Sequence, residues 1–460
     1  MVRDLTKGKP LPLIISFCIP LLIGNLFQQF YNLVDMIIVG HFVGVDALAA
    51  VGATGSLNFF VLGFVMGICS GFCIPVSNSF GAGDFSRMRR YVYNITWLAI
   101  ITAAIVTTLT VALSPQILSI MRTPDNIYAA SKLYIVIIFA GIPTTMLYNI
   151  LAGILRALGD TRTPLYFLII AAVLNVVLDL TFVILLDAGV AGVAYATVIS
   201  QAVSGILCFI YIVKKFPILK PEKSERIFNF KDAAHLLGTG LPMALQFSIT
   251  ALGSLVLQSA VNTLGSVTVA AVTTAGKVQM LVIQPMETLG VSMATYSSQN
   301  LGAGRIDRIS EGVRKSTYVA IGYSIVALFI IRYAGTFIAR MFIDSSETEI
   351  FDMVARILQV SSFLYIPLAL IYLYRNSLQG MGRALTAMTA GIFEMVARAG
   401  VAFTLIPKFG FTAVCFAHPS AWVAADIFLI PAYIITMRSI KKKFKQTNES
   451  GNENEHRHNT

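Results

Sequence analysis

The sequence predicts an all-α polytopic membrane protein of twelve transmembrane helices, and three observations carry that prediction. The 460-residue chain is 56% hydrophobic and only 12% charged, where a soluble domain is about 25% charged. Its apolar residues gather in twelve runs, each near the length of about 20 residues that a bilayer requires. The second half of the chain also repeats the first at a shift of 221 residues.

The runs fall at 12–38, 47–75, 90–113, 130–155, 163–186, 189–213, 235–262, 267–296, 314–334, 350–375, 386–406 and 411–437. Lys and Arg orient them. Of the 34 basic residues, 26 fall on one side, six on the other, and Lys277 and Arg398 lie inside spans. The bias places both termini in the cytoplasm of a plasma-membrane, multi-pass protein. The net charge of +11 then reflects orientation, and no nucleic-acid partner is expected. The five cysteines sit in apolar runs and read as small core residues. Asn94-Ile95-Thr96 matches a glycosylation sequon but lies at the basic edge of a span, which makes it a chance match.

Repeat signals are specific. Ser79-Phe80-Gly81-Ala82-Gly83-Asp84 returns as Asn300-Leu301-Gly302-Ala303-Gly304-Arg305. Gly44 returns as Gly265, Ile142-Pro143 as Ile366-Pro367, Leu158-Gly159 as Met381-Gly382, and Gly189 as Gly410. The chain therefore divides into a six-helix half at 1–213, a basic linker at 214–234, a second six-helix half at 235–437, and a tail at 438–460. The linker, with six Lys and Arg, is expected to lie on anionic lipid. The polar tail is expected to be partly disordered. Parallel halves are an architecture of secondary transporters. Gly63, Gly67 and Gly71 form a small-residue stripe for close helix packing.

The candidate chemistry lies in the first half. Asp35 and Asp179 are carboxylates inside apolar spans, and the neighbouring span interiors hold no Lys or Arg to pair with them. Such a group is costly unless partnered, protonated or facing water. Asn175 is one turn from Asp179 and shares its face. The oxygen-only set suits a proton or a small hard cation such as Na⁺, and no other metal is expected. The alternative is that each Asp caps or tethers a helix. Pro20 lies in the same span as Asp35 and can bend it, as a static kink or as a switch. Phe27, Gln28, Phe30, Tyr31, Met66, Met146 and Asn149 could line an adaptable substrate pocket, or simply pack.

The second half carries a different set: Lys277, Glu287, Glu394, Arg398 and Asp426. Glu394 and Arg398 can pair at i, i+4. The set reads as a satisfied polar network, with a substrate or coupling role as the alternative. His418 reads as a packing residue. No phosphate-binding loop and no extramembrane domain is present, so neither an enzyme nor an ATPase is expected, and no cofactor beyond the coupling ion.

The chain resembles the multidrug and toxic compound extrusion (MATE) transporters of prokaryotic type over nearly its whole length. Three segments carry the resemblance: Val34-Asp35-Met36-Ile37-Ile38-Val39-Gly40, the Gln-Asn-Leu-Gly-Ala-Gly of 299–304 with its partner at 78–83, and 155–164 from Leu155 to Pro164. The resemblance implies two pseudo-symmetric six-helix lobes forming a V around a central cavity, and export of organic cations against Na⁺ or H⁺. It implies a first-lobe cation site of Asp35, Asn175, Asp179, Thr197 and Tyr134, a bending Pro20, and cavity residues Gln28 and Asn149. Some relatives carry acids in the seventh and tenth spans as well. Here Gln246 stands near the first position and the tenth span has no acid, so a second site of that kind is not expected. The partners implied are small organic cations and membrane lipids, with the chain acting as a monomer. Other readings are a lipid-linked precursor flippase, which would need basic residues for pyrophosphate, and a channel or membrane scaffold.

Overall fold

The computed structural model describes residues 4–340 and 348–458. The helices, in order, are α1 (Pro10–Ile38), α2 (Val45–Ala53), α3 (Gly55–Gly81), α4 (Phe85–Ile120), α5 (Asp125–Ala140), α6 (Ile142–Ala157), α7 (Arg162–Leu180), α8 (Gly189–Lys215), α9 (Phe230–Asn262), α10 (Ser266–Gly302), α11 (Ile306–Ala339), α12 (Thr348–Phe363), α13 (Tyr365–Gly380), α14 (Ala384–Gly400), α15 (Ile406–Phe409) and α16 (Phe411–His458). Ten helical stretches are long and apolar enough to cross a membrane. The fourth and tenth expected spans are bent pairs, by 43° between α5 and α6 and by 55° between α12 and α13, which brings the count to twelve. Both bends fall at the repeated Ile-Pro. A proline in the first turn lacks the N–H that would tie it to the preceding helix.

Backbone torsions confirm the repeat. Gly44 and Gly265 have φ of 116° and 95°, Gly83 and Gly304 of 71° and 69°, Gly159 and Gly382 of 86° and 75°, and Gly189 and Gly410 both of 53°. Each pair is one that the repeated sequence picks out. Gly83 and Gly304 end α3 and α10 in the left-handed region, where any other residue would strain against its own Cβ. A single π-helical turn also recurs, at Thr181–Leu185 after α7 and at Val401–Leu405 after α14.

The chain forms two compact units whose borders depart from the expected halves. Unit 1 holds Ser16–Phe80 and Asp84–Leu255; unit 2 holds Leu5–Ile15, Gly81–Gly83 and the chain from Val256. The glycine stripe explains the first departure. A Cβ on Gly67 would stand 2.7 Å from Ala244 Cα, and one on Gly71 would collide with Gly240. The start of the seventh span therefore packs backbone to backbone against α3 inside unit 1. The second Gly-Ala-Gly motif explains the other. Gln299 Oε1 accepts from Leu5 N at 3.0 Å, and Arg308 Nη1 donates to Gly8 O at 2.8 Å. These bonds tie the N-terminal segment into unit 2. Replacing Gly71 with Val should destabilise the protein by about 3 kcal/mol or more, the scale of severe overpacking, and thermal unfolding of the purified protein measures it.

The motif at 155–164 is a built turn. Asp160, 2% exposed, accepts from Arg162 N and Thr163 N, each at 3.1 Å, and from Thr163 Oγ1 at 2.7 Å. It fixes the start of α7 and hence the level of Asn175 and Asp179. Asn94 is fully buried and bonds to Arg90 O and Asn229 N, consistent with a chance sequon. The five cysteines are buried. The polar tail departs from expectation: α16 continues to His458. Propagating an existing helix needs no new nucleus. Asn459 and Thr460 lie outside the described residues.

The linker is anchored to α4. Glu225 is buried and accepts from Arg89 Nε at 2.6 Å, Arg89 Nη2 at 2.7 Å and Ser86 Oγ at 2.7 Å. The Arg89 guanidinium, with help from Ser86 and the Glu222 backbone N–H, pulls the Glu225 carboxyl from 4.5 down to about 2. A depressed pKa stabilises the fold above the unfolded value and loses that contribution as pH falls through the folded one. Glu225→Gln should therefore lower thermal stability at neutral pH. The gap to the native chain should close as pH falls from 4.5 toward about 2.

Candidate functional site

Three helices of unit 1 build the site. Tyr31 and Asp35 are one turn apart on α1, Asn175 and Asp179 one turn apart on α7, and Thr197 and Gln201 one turn apart on α8. Such pairs share a helix face. Both Asp35 and Asp179 stand a few residues before a π-helical turn, at Val39–Val43 and Thr181–Leu185, and these turns pack on one another. π turns often mark functional positions.

The carboxyl groups of Asp35 and Asp179 face each other within interaction range. Asp179 is 0% exposed and Asn175 2%. Apart from this mutual contact, neither Asp179 oxygen has a hydrogen-bond partner among the described residues, nor does either amide atom of Asn175 or Oδ1 of Asp35. Buried polar atoms are ordinarily satisfied, and an orphan of this kind costs about 1–3 kcal/mol. Five orphaned atoms in one place exceed what a tether or cap would leave. They form an all-oxygen and amide set suited to a proton or Na⁺.

Next to it lies a narrow cavity of about 10 Å³, lined by Tyr31, Tyr148, Asn175, Thr197, Ser200 and Gln201. That volume is at the lower limit for one water. The Tyr31 hydroxyl lies beside the Gln28 and Gln201 amides. Tyr134, on α5, is within Coulombic range of both carboxyls. Thr197 Oγ1 donates to Val193 O at 3.0 Å and keeps its lone pairs for a ligand. The structure thus gathers Asp35, Asn175, Asp179, Thr197 and Tyr134. It adds Ser200 and Gln201, whose Oγ and Oε1 are also buried without partners. Gln201 follows Thr197 by four residues, so the signal was present as a shared helix face.

The expected pocket residues separate. Gln28 is half-buried beside Tyr31, and Phe27 is 41% exposed. Asn149 spends Nδ2 on Thr145 O at 2.8 Å. Met146 corrects an expectation: it is 1% exposed and belongs to the unit 1 core, so it cannot line an open wall. Pro20 is buried within α1, which continues through it.

Unit 2 holds the second polar group. Glu394 bridges two guanidiniums, Arg375 at 3.0 Å and Arg398 at 3.1 Å. Arg375, at the end of the expected tenth span, lies inside α13, because that helix runs to Gly380. Glu287 and Asp426 are within Coulombic range of Arg375. Lys277 is exposed and lies ten residues before Glu287, about 15 Å along α10. His418 stacks on Trp422, with centroids 6.4 Å apart.

The MatE family model matches residues 20–181 and again 242–404, once in each half of the repeat. The chain is similar to the probable multidrug resistance protein YoeA of Bacillus subtilis, 28% identical over 430 residues, which cover 91% of this chain and 92% of that one. It is also similar to the probable multidrug resistance protein YpnP of the same organism, 27% identical over 76% of this chain and 78% of that one. Among solved structures, an outward-facing multidrug resistance MATE family transporter of the MOP superfamily superposes with a TM-score of 0.89 at 22% identity, covering 95% of this chain and 98% of that one.

Proposed function

Because the chain belongs to the MatE family, we propose that it is a secondary antiporter of the plasma membrane, with both termini cytoplasmic, that exports amphipathic organic cations in exchange for Na⁺ or H⁺. The observation that carries this reading is the fully buried, unpartnered carboxyl of Asp179 facing Asp35. Two acids so placed repel one another when both are charged, and a cation or proton between them relieves the repulsion. Asn175 and Thr197 supply neutral oxygens to the ion, Tyr134 and Tyr31 wall the pair from water, and Gln201 orients Tyr31.

Coupling follows from shared helices. Gln28 lies seven residues before Asp35 on α1, about 10 Å along the axis. Occupancy at Asp35 therefore acts on the same helix that presents Gln28, with Pro20 as the bend between two conformations. A ligand shifts such an equilibrium only by its differential affinity for the two states. Affinity for an organic cation should fall as the coupling ion rises, and Asp35→Asn should flatten that dependence. Pro20→Ala should weaken the dependence while leaving the ion's ligands in place. Titration calorimetry with a cationic dye at several Na⁺ concentrations and pH values measures all three. Affinity that varies with neither ion in the native protein would remove competition from this site.

A flippase for lipid-linked pyrophosphates is disfavoured by a specific observation. Arg375 and Arg398 in unit 2 are already spent on Glu394, so they do not present free positive charge to a diphosphate.

A further inference from the structure

We propose that a cleft between α11 and α16, at the basic end of unit 2, binds the headgroup of an anionic glycerophospholipid. The cleft has a volume of about 380 Å³. Its floor is aromatic: Tyr374 and Tyr433 pack with ring centroids 5.0 Å apart at 53°. Its rim is cationic, formed by Arg314 on α11 with Arg438 and Lys441 on α16. Tyr318, four residues after Arg314 and 68% exposed, completes one wall.

The charges are available. Lys441 pairs with Asp307 at 3.1 Å on an exposed edge. Arg314 and Arg438 have no ion pair or hydrogen bond among the described residues. Glu311 on α11 is within Coulombic range of Arg314 but takes its hydrogen bond from Lys315 at 2.6 Å. Two free guanidiniums facing one cleft suit a phosphodiester, because each planar fork takes two phosphate oxygens. Tyrosine hydroxyls add donors at the level of a headgroup.

The surroundings select a lipid over a free anion. Ile434 on the cleft wall is 42% exposed, and Ile427, two turns back along α16, is 72% exposed. This apolar strip runs from the cationic rim along the span, the path an acyl chain would take. A soluble phosphate would use the rim and leave the strip bare. The proposal stands independently of the transport reading, since no residue of the cleft belongs to the unit 1 site.

Native mass spectrometry of the full-length protein in detergent, offered equal phosphatidylglycerol and phosphatidylcholine, tests it. The native protein should retain phosphatidylglycerol in preference by roughly tenfold or more, the scale of two cations near an anionic headgroup. Arg314→Ala/Arg438→Ala should bring the two lipids close to parity. Arg314→Lys/Arg438→Lys, which keeps the charge and loses the fork, should fall between. Lys214→Ala/Lys215→Ala, which removes equal charge from unit 1, should leave the preference intact. Equal retention of both lipids by the native protein, or an undiminished preference in Arg314→Ala/Arg438→Ala, would overturn the site. Displacement of phosphatidylglycerol by millimolar inorganic phosphate would show a free-anion site instead and overturn the lipid assignment.

Discussion

Asp179→Asn should abolish coupled efflux while leaving the protein folded. Its stability should stay within about 1 kcal/mol of the native value or rise above it, since an amide is easier to bury than an unpartnered carboxylate. Both Asp179 oxygens lack hydrogen-bond partners at 0% exposure, so the fold gains little from the charge. Retention of such a group against its burial cost argues for use rather than architecture. Asp35→Asn should behave the same way. Transport at the native rate in either variant, or collapse of the fold, would show that the acids serve another purpose.

The opposite pattern is expected in unit 2. Glu394→Ala should destabilise the protein by about 3–5 kcal/mol, the cost of leaving buried charge uncompensated. Glu394 is 4% exposed and pairs with both Arg375 and Arg398. Replacing Glu394 and Arg398 together by Gln and Met should recover part of the loss, because one guanidinium rather than two then lacks its carboxylate. Thermal unfolding in one detergent decides the order of the three proteins. A Glu394→Ala protein that melts like the native one yet loses ion dependence would move coupling into unit 2.

Hydropathy made the spans legible, and the repeated glycines made the duplication legible, down to matching positive φ values in each half. Asp35, Asn175 and Asp179 stood out because charge and amide are rare in apolar runs. Other features were hidden for physical reasons. Ser200 and Gln201 are neutral polar residues of a kind common in any span, and only their shared face with Thr197 marks them. Arg375 escaped because hydropathy falls at Tyr374–Asn376 while the helix continues to Gly380. Met146 looked like a pocket residue by type, and only packing shows it to be core. The unit borders were hidden because they depend on which backbones touch at Gly67 and Gly71, a property of three dimensions that hydropathy does not encode.

Uphill transport of a fluorescent organic cation in proteoliposomes, under an imposed Na⁺ gradient and separately under an imposed H⁺ gradient, decides whether this protein is an antiporter coupled through Asp35. One of the two gradients should drive accumulation of the dye against its own gradient in the native protein, and the same gradient should drive none in Asp35→Asn. Accumulation under neither gradient, or accumulation undiminished without the Asp35 carboxylate, would contradict that coupling.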